Sequence, residues 1–192
     1  MVSSLFILGG ARSGKSRFAV SDPALAGRVA FVATARATDG DMARRIVRHQ
    51  AERPRHFATV EEPYELVRSL TGLEAAYDAV VVDCLTLWVS NRLLRGDTDD
   101  AILDEAEALA KLIGRRATSV TVVSNEVGEG VHPETAMGLR FRDLLGLVNQ
   151  KVAAACDRVV LMVAGVPLTI KSIAPPKPLS VHARPDDALQ SP

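Results

Sequence analysis

The stretch Leu5-Phe6-Ile7-Leu8-Gly9-Gly10-Ala11-Arg12-Ser13-Gly14-Lys15-Ser16 decides how the rest of the chain is read. Four successive apolar residues suit a strand covered on both faces, since a strand with one wet face would alternate. The eight residues that follow match G-x-x-x-x-G-K-[ST], the phosphate-loop pattern. Gly9 and Gly14 let the backbone curl where a Cβ would obstruct the turn. Successive N–H groups across Gly10, Ala11, Arg12 and Ser13 can then point at phosphate oxygens, reinforced by the N-terminus of the next helix. Lys15 can reach the β and γ phosphates, and Ser16 can offer its hydroxyl to Mg²⁺. A glycine-rich turn that binds nothing would not need this order of strand, loop and helix. The loop alone does not separate a kinase from an ATPase or a GTPase.

Apolar runs of the same kind recur at Val29 to Ala33, Val80 to Val82, Val120 to Val123 and Val159 to Val163. Phe57 to Val60 reads as a shorter strand, and Leu168 to Ile170 as an edge strand after the turn at Gly165 to Pro167. Between these runs the pattern is helical. Asp41 to Gln50 is one helix. Pro63 opens another, closed by Gly72. Asp99-Asp100 precedes a longer one, with Ile102, Ala106, Leu109 and Ile113 on its apolar face and Gly114 as its stop. Pro133-Glu134 opens the last, reaching about Ala155, with Gly138 and Gly146 as weak points where it divides. Strand and helix alternate, which predicts an α/β domain: a mostly parallel central sheet with helices on both faces. The domain is expected over residues 1–173. The proline-rich remainder, 174–192, reads as a tail without a core of its own.

The chain has 192 residues, enough for one domain with a sizeable core. At 47% hydrophobic and 24% charged it is not a disordered chain. Lys plus Arg total 23 and so do Asp plus Glu, so no global basic field argues for nucleic acid or an anionic membrane. Two cysteines, Cys84 and Cys156, argue against a secreted disulfide scaffold and a thiolate zinc site. The apolar stretch Val159 to Leu168 is too short to span a bilayer. A soluble, cytoplasmic protein is expected.

Three further segments carry candidate chemistry. Asp83 closes the Val80-Val81-Val82 strand, where a carboxylate beside a phosphate loop suits direct or water-mediated Mg²⁺ coordination; the plainer reading is a cap for a helix starting near Cys84. Arg45, His49 and Arg53 share one helical ridge at four-residue spacing. That arrangement can hold an imidazole beside polyphosphate while guanidinium groups neutralise the oxygens. An exposed basic helix paired with Asp41 and Glu52 would carry the same pattern. Asn125-Glu126-Val127-Gly128-Glu129-Gly130 follows the Val120 to Val123 strand, where ligands bind in such sheets, or else forms a turn with an Asx cap. His56 reads as a strand-edge residue and His182 falls in the tail. Composition does not decide for His132, which precedes Pro133.

Taken together, the phosphate loop, the Arg45-Ile46…His49 segment, Asn125 to Gly130 and Phe141-Arg142-Asp143…Gly146…Asn149-Gln150 resemble the bifunctional adenosylcobinamide kinase and adenosylcobinamide-phosphate guanylyltransferase family. The likeness spans about Leu5 to Lys171. It implies a RecA-like phosphate-loop fold and a two-step activity. Adenosylcobinamide is phosphorylated with ATP or GTP, and GMP is then moved from GTP onto adenosylcobinamide phosphate, giving adenosylcobinamide-GDP and diphosphate. It implies that His49 carries covalent GMP, that Arg45 and Arg53 surround it, and that Asp83 contacts metal or guanine. It implies that Asn125, Glu126 and Arg142 serve the substrate, and that the protein is a homotrimer. His132, Leu139, Leu147 and Asp41 depart from the family pattern, while the nucleophile and phosphate loop are intact. Two other readings compete: a small-molecule kinase without nucleotidyl transfer, and a nucleotide-sensing interaction protein.

Overall fold

The computed structural model describes residues 2–37, 40–51, 53–130 and 132–172, apart from the side chains of Asp41, Met42 and Arg45. The elements run in chain order as β1 (Ser4–Gly9), α1 (Lys15–Ala19), β2 (Val29–Ala33), α2 (Gly40–Ala51), β3 (Ala58–Glu61) and α3 (Leu66–Leu73). They continue as β4 (Ala79–Asp83), α4 (Leu85–Arg95), α5 (Asp99–Arg115), β5 (Ser119–Val123), α6 (Ala136–Ala155), β6 (Arg158–Val163) and β7 (Val166–Lys171). The strands make one seven-stranded sheet ordered β3-β2-β4-β5-β1-β6-β7. Every pairing is parallel except β6 with β7, an antiparallel hairpin turned through Ala164 (φ 50) and Gly165 (φ 84). This is the α/β class with a mostly parallel central sheet expected from the sequence.

The β-branched strands bury both sides, and the period of two sorts their residues into two cores. Phe6, Val32, Val80, Val82 and Val122 face α3, α4, α5 and α6, packing on Leu66, Trp88, Leu109, Leu145 and Val148. Leu5, Ile7, Phe31, Val81 and Val123 face the other way, toward Ala19 and Phe18 of α1, Leu25 and Phe57. Each fully buried side chain of this size contributes about 1.5–3 kcal/mol of transfer free energy. Four helices cover the first face; the short α1 and neighbouring loop residues contribute to the second core.

Consequently the segment leaving β1 enters α1 on one face, whereas the segment leaving β5 leads to α6 on the other. β1 and β5 are neighbours, with Ile7 beside Val123. Their divergence opens a crevice at the carboxyl ends of the strands, where such sheets hold ligands.

Several helix ends differ from the sequence expectation. α6 is one helix and does not divide at Gly138 or Gly146. Burial of Leu144, Leu145, Val148 and Val152 outweighs the roughly 1 kcal/mol that each helical glycine costs. Its cap is Thr135, whose side chain accepts from the Gly138 N–H, rather than Pro133-Glu134. α5 passes Gly114 and ends where Arg116 turns left-handed (φ 55). α3 begins at Leu66, not at Pro63, and runs past Gly72 to Leu73; the Glu62 carboxylate takes up the N–H groups of Tyr64 and Glu65, each at 2.9 Å. His56 lies in the turn before β3, with its ring edge-on to Phe57 at 4.8 Å. Among the described residues no helix is long and apolar enough to cross a membrane. The tail expected over 174–192 lies outside the described residues.

Candidate active site

Sheet register brings the candidate residues to one end of the molecule. Ala33 of β2 lies beside Asp83 of β4, Asp83 beside Val123 of β5, and Val123 beside Ile7 of β1. The phosphate loop, Asp83 and the loop after β5 therefore start from adjacent strand ends, although they are far apart in sequence.

The phosphate loop has the conformation its glycines allow. Gly9 (φ 146) and Gly14 (φ 95) occupy backbone regions that L side chains rarely adopt, and Gly14 caps α1. A Cβ on Gly9 would stand 2.5 Å from the Met162 carbonyl oxygen and 2.8 Å from Ser13 Oγ. The tip of the β6–β7 hairpin braces the loop, with the Gly165 N–H donating to Ser13 O at 3.0 Å. Lys15 is buried, and its Nζ donates to the carbonyls of Gly9 (2.8 Å) and Gly10 (2.6 Å). Burial pushes the Lys15 ammonium below its ordinary range, against the opposing charges of Cys84 and Asp83.

Asp83 is the meeting point of the site. Burial raises its carboxyl above the ordinary range; the Ser16 side chain, by a hydrogen bond, and the charges of His49, Arg53 and Lys15 act in the opposite sense. Asp83 does not cap α4: that position belongs to Cys84, with no side-chain cap bond. The Cys84 thiol is pushed up to about 12 by burial, so it is a poor nucleophile. The turn that delivers Asp83 is pinned from β2, since Thr34 Oγ1 donates to Cys84 O at 2.7 Å and accepts from Cys84 N at 2.8 Å. Asn91 of α4 then holds Thr34 O at 2.7 Å.

α2 supplies His49. Ile46, Gln50 and Arg53, which bracket it in sequence, line a cleft of about 310 Å³ together with Ala33, Ala35, Arg36, Ala37, Glu61 and Pro63. The Arg53 guanidinium lies 4.1 Å from the centre of the Phe31 ring, and its buried Nε has no hydrogen-bond partner. Such a donor suits an anionic or carbonyl-bearing ligand. The Arg45 side chain lies outside the described residues, as do the Asp41 side chain and Glu52.

The loop after β5 approaches from the other side. The Glu126 N–H donates to Gly9 O (3.2 Å), and Thr86 Oγ1 accepts from the Asn125 N–H at 2.7 Å. Asn149 of α6 is buried and donates from Nδ2 to Asn125 O at 3.1 Å. Arg142, one to two turns earlier on α6, touches His132 Nδ1 at 3.0 Å and the Asp143 carboxylate. Among the described residues no hydrogen bond or ion pair joins it to the phosphate loop. Thr34, Thr86 and Asn91 are residues that the sequence does not mark for this site, and Asn149 enters it only through the family motif. Each is an ordinary polar residue in a helix or at a strand end, and only its partner across the fold gives it a role.

Residues 5–170 match the family model described as cobinamide kinase / cobinamide phosphate guanyltransferase. The bifunctional adenosylcobalamin biosynthesis protein CobP of Pseudomonas aeruginosa is 45% identical over 166 residues, covering 86% of this chain and 95% of that protein. CobU of Salmonella typhimurium, which bears the same description, is 39% identical over 179 residues, covering 87% and 99%. CobU of Escherichia coli is 36% identical over a stretch of the same length, covering 87% and 99%. Among solved structures, the KaiC-like protein PH0186 of Pyrococcus horikoshii superposes with a TM-score of 0.45 at 13% identity, covering 83% of this chain and 70% of that one.

Proposed function

The chain belongs to the cobinamide kinase / cobinamide phosphate guanyltransferase family, and from that premise we propose how its residues divide the two reactions. It is a bifunctional enzyme of cobalamin biosynthesis that uses nucleoside triphosphates. The observation that carries the residue assignment is the sheet register that sets Asp83 at the strand ends next to the phosphate loop, with the charges of His49, Arg53 and Lys15 acting on its carboxyl.

In the kinase reaction the loop N–H groups from Gly10 to Gly14 and the α1 N-terminus receive the phosphates. Lys15 leaves the Gly9 and Gly10 carbonyls to meet the β and γ oxygens. The corrinoid hydroxyl attacks the γ-phosphorus, the bond to the β-bridging oxygen breaks, and the nucleoside diphosphate leaves. The Ser16 hydroxyl and the Asp83 carboxylate are hard oxygen donors that would hold Mg²⁺ directly or through water. When bound, the ion supplies charge neutralisation at the phosphate oxygens.

For GMP transfer, a neutral ring nitrogen of His49 attacks the α-phosphorus of GTP. A P–N bond forms, the bond to the β-phosphate breaks, and diphosphate leaves. The corrinoid phosphate then attacks the same phosphorus, which restores His49 and forms the new P–O–P bond. Arg53 and Arg45 neutralise phosphate oxygens during both displacements. The cleft beside Ile46 and Gln50 takes the nucleoside, and Asn125, Glu126 and Arg142 orient the corrinoid side. The working assembly is a homotrimer in the cytoplasm. A plain kinase or a nucleotide sensor would have no task for His49.

The test uses the whole protein with Mg²⁺ and GTP, without corrinoid. GTP labelled at the α-phosphate leaves label on the protein; GTP labelled at the γ-phosphate leaves none. The adduct is acid-labile and base-stable, as a phosphoramidate should be. His49→Ala removes the adduct and GMP transfer while cobinamide phosphorylation persists. An adduct formed by His49→Ala at the parent rate would place the nucleophile elsewhere.

A further inference from the structure

The cleft lined by Ile46 and Gln50, which flank His49 in sequence, carries two arginines, and each guanidinium rests on an aromatic ring. Arg53 lies over Phe31, a core residue of β2. Arg36, in the exposed segment after β2, lies 5.4 Å from the ring centre of Tyr64 and lines the same cleft. The two platforms differ in what holds them. Phe31 is fixed by its strand. Tyr64 sits in the bend between β3 and α3 and is fixed by bonds from three directions. Its N–H donates to the Glu62 carboxylate at 2.9 Å. Its carbonyl accepts from the indole of fully buried Trp88 at 2.7 Å and from Arg92 at 3.5 Å. Its ring also meets the Arg95 guanidinium at 4.6 Å, and Arg95 is itself clamped by Asp97 (2.7 and 2.8 Å) and Glu65 (2.9 Å).

We propose that Tyr64 is a positioning residue for GMP transfer: its anchored ring holds Arg36 at the wall of the cleft beside α2, where Arg36 meets the phosphates of the guanylyl donor. This rests on the His49 reading above. An arginine on an exposed segment otherwise spends its time among many rotamers, and ordering it on demand opposes binding. A π-face preselects the rotamers that lie flat along the cleft wall and leaves the guanidinium edge free to donate. The Arg95 cation on the same ring is neutralised by two carboxylates, so it supports the platform without adding net charge at the cleft. Arg36 and Arg53 then line one cleft, and a triphosphate reaching from it to His49 meets two guanidinium groups. Among the described residues the phosphate loop makes no hydrogen bond, ion pair or ring contact with Tyr64, so phosphoryl transfer should not depend on it.

The experiment measures adduct formation from α-labelled GTP and, separately, cobinamide phosphorylation from ATP, in Tyr64→Leu, Tyr64→Phe, Arg36→Gln and the double variant Tyr64→Leu/Arg36→Gln. Tyr64→Leu is expected to raise the GTP concentration for half-maximal adduct formation about fivefold, the scale of a lost cation–π contact at a partly exposed site. Tyr64→Phe keeps the π-face and stays within about twofold of the parent. The double variant is no worse than Arg36→Gln, because the ring acts only through that residue. Phosphorylation from ATP changes less than about twofold in all of them. A Tyr64→Leu protein that forms adduct like the parent, or loses both reactions equally, overturns the proposal. So does a double variant in which the two losses add. Should Tyr64→Leu not fold, as judged by Trp88 fluorescence, Tyr64→Met keeps the bulk without the π-face and is read the same way. Failure of the parent itself to form an adduct would instead sink the His49 mechanism.

Discussion

Ser16, in the first turn of α1, and Asp83, at the carboxyl end of β4, come to the same end of the sheet through the register of Asp83 with Val123 and of Val123 with Ile7. These residues are the last of the phosphate loop and the last of a strand two places away in the sheet.

Asp83→Asn keeps the shape and removes the charge. It should lower both reactions by about 10²-fold or more, the scale of losing a key electrostatic group at a phosphoryl-transfer site. Raising Mg²⁺ should restore part of the loss if the carboxylate holds the ion. Steady-state rates of phosphorylation and GMP transfer against Mg²⁺ concentration measure this; unchanged rates at low Mg²⁺ would remove Asp83 from the metal site.

Lys15→Ala should weaken both reactions, with phosphoryl transfer the more affected, by about 10²-fold or more. The same change leaves the Gly9 and Gly10 carbonyls without the ammonium they hold at 2.8 and 2.6 Å. Circular dichroism checks folding first. Equal rates in variant and parent would reject the role.

Gly9→Ala tests the loop's shape rather than its charge. The new Cβ would stand 2.5 Å from the Met162 carbonyl, at a φ of 146. Backbone cannot yield as a flexible side chain can, so the loop must shift. Nucleotide affinity by calorimetry should fall at least about tenfold, while the Trp88 emission, which reports the core on the opposite face of the sheet, stays close to the parent's.

Asp97 gives the fold a part of its acid sensitivity. Hydrogen bonding to Arg95, and next to Arg92, holds its carboxyl at about 2, against an ordinary 3.8. A depressed carboxyl contributes stability above its unfolded value, which is lost as pH falls toward the folded one. Urea midpoints should therefore drop between about pH 4 and pH 2 more steeply in the parent than in Asp97→Asn. Parallel curves would show that the ion pairs contribute nothing.

Leu145→Ala, at a fully buried position of α6, should cost about 2–5 kcal/mol in urea unfolding followed by Trp88 fluorescence. Light scattering at micromolar concentration should give about three chains per particle for the parent. A stable monomer with full turnover would contradict the trimer.

Much of this architecture is legible along the chain because it depends on near neighbours. The run Leu5 to Leu8 followed by Gly9 to Ser16 contains its own strand, turn and phosphate seat, and the β-branched runs contain their own need for two covered faces. The ends of α3, α5 and α6 were not legible in the same way. Gly72, Gly114, Gly138 and Gly146 carry a small local penalty that burial of Leu70, Ile113, Leu144 and Leu145 overrides, and burial is settled by what packs against a helix. The site divides along the same line. Gly9 to Ser16, His49, Arg53, Asp83, Asn125 and Glu126 are marked by motif, ridge spacing or position after a strand. Thr34, Asn91 and Thr86 carry no such mark, because each works through a partner 39 to 57 positions away. The sequence by itself determined the chemistry on offer: a phosphate cradle, an imidazole, a carboxylate and the strands that carry them. Only the tertiary structure decided that Asp83 stands at the strand ends next to the cradle, since the order β2-β4-β5-β1 is fixed by packing and hydrogen-bonded register between strands rather than by succession along the chain.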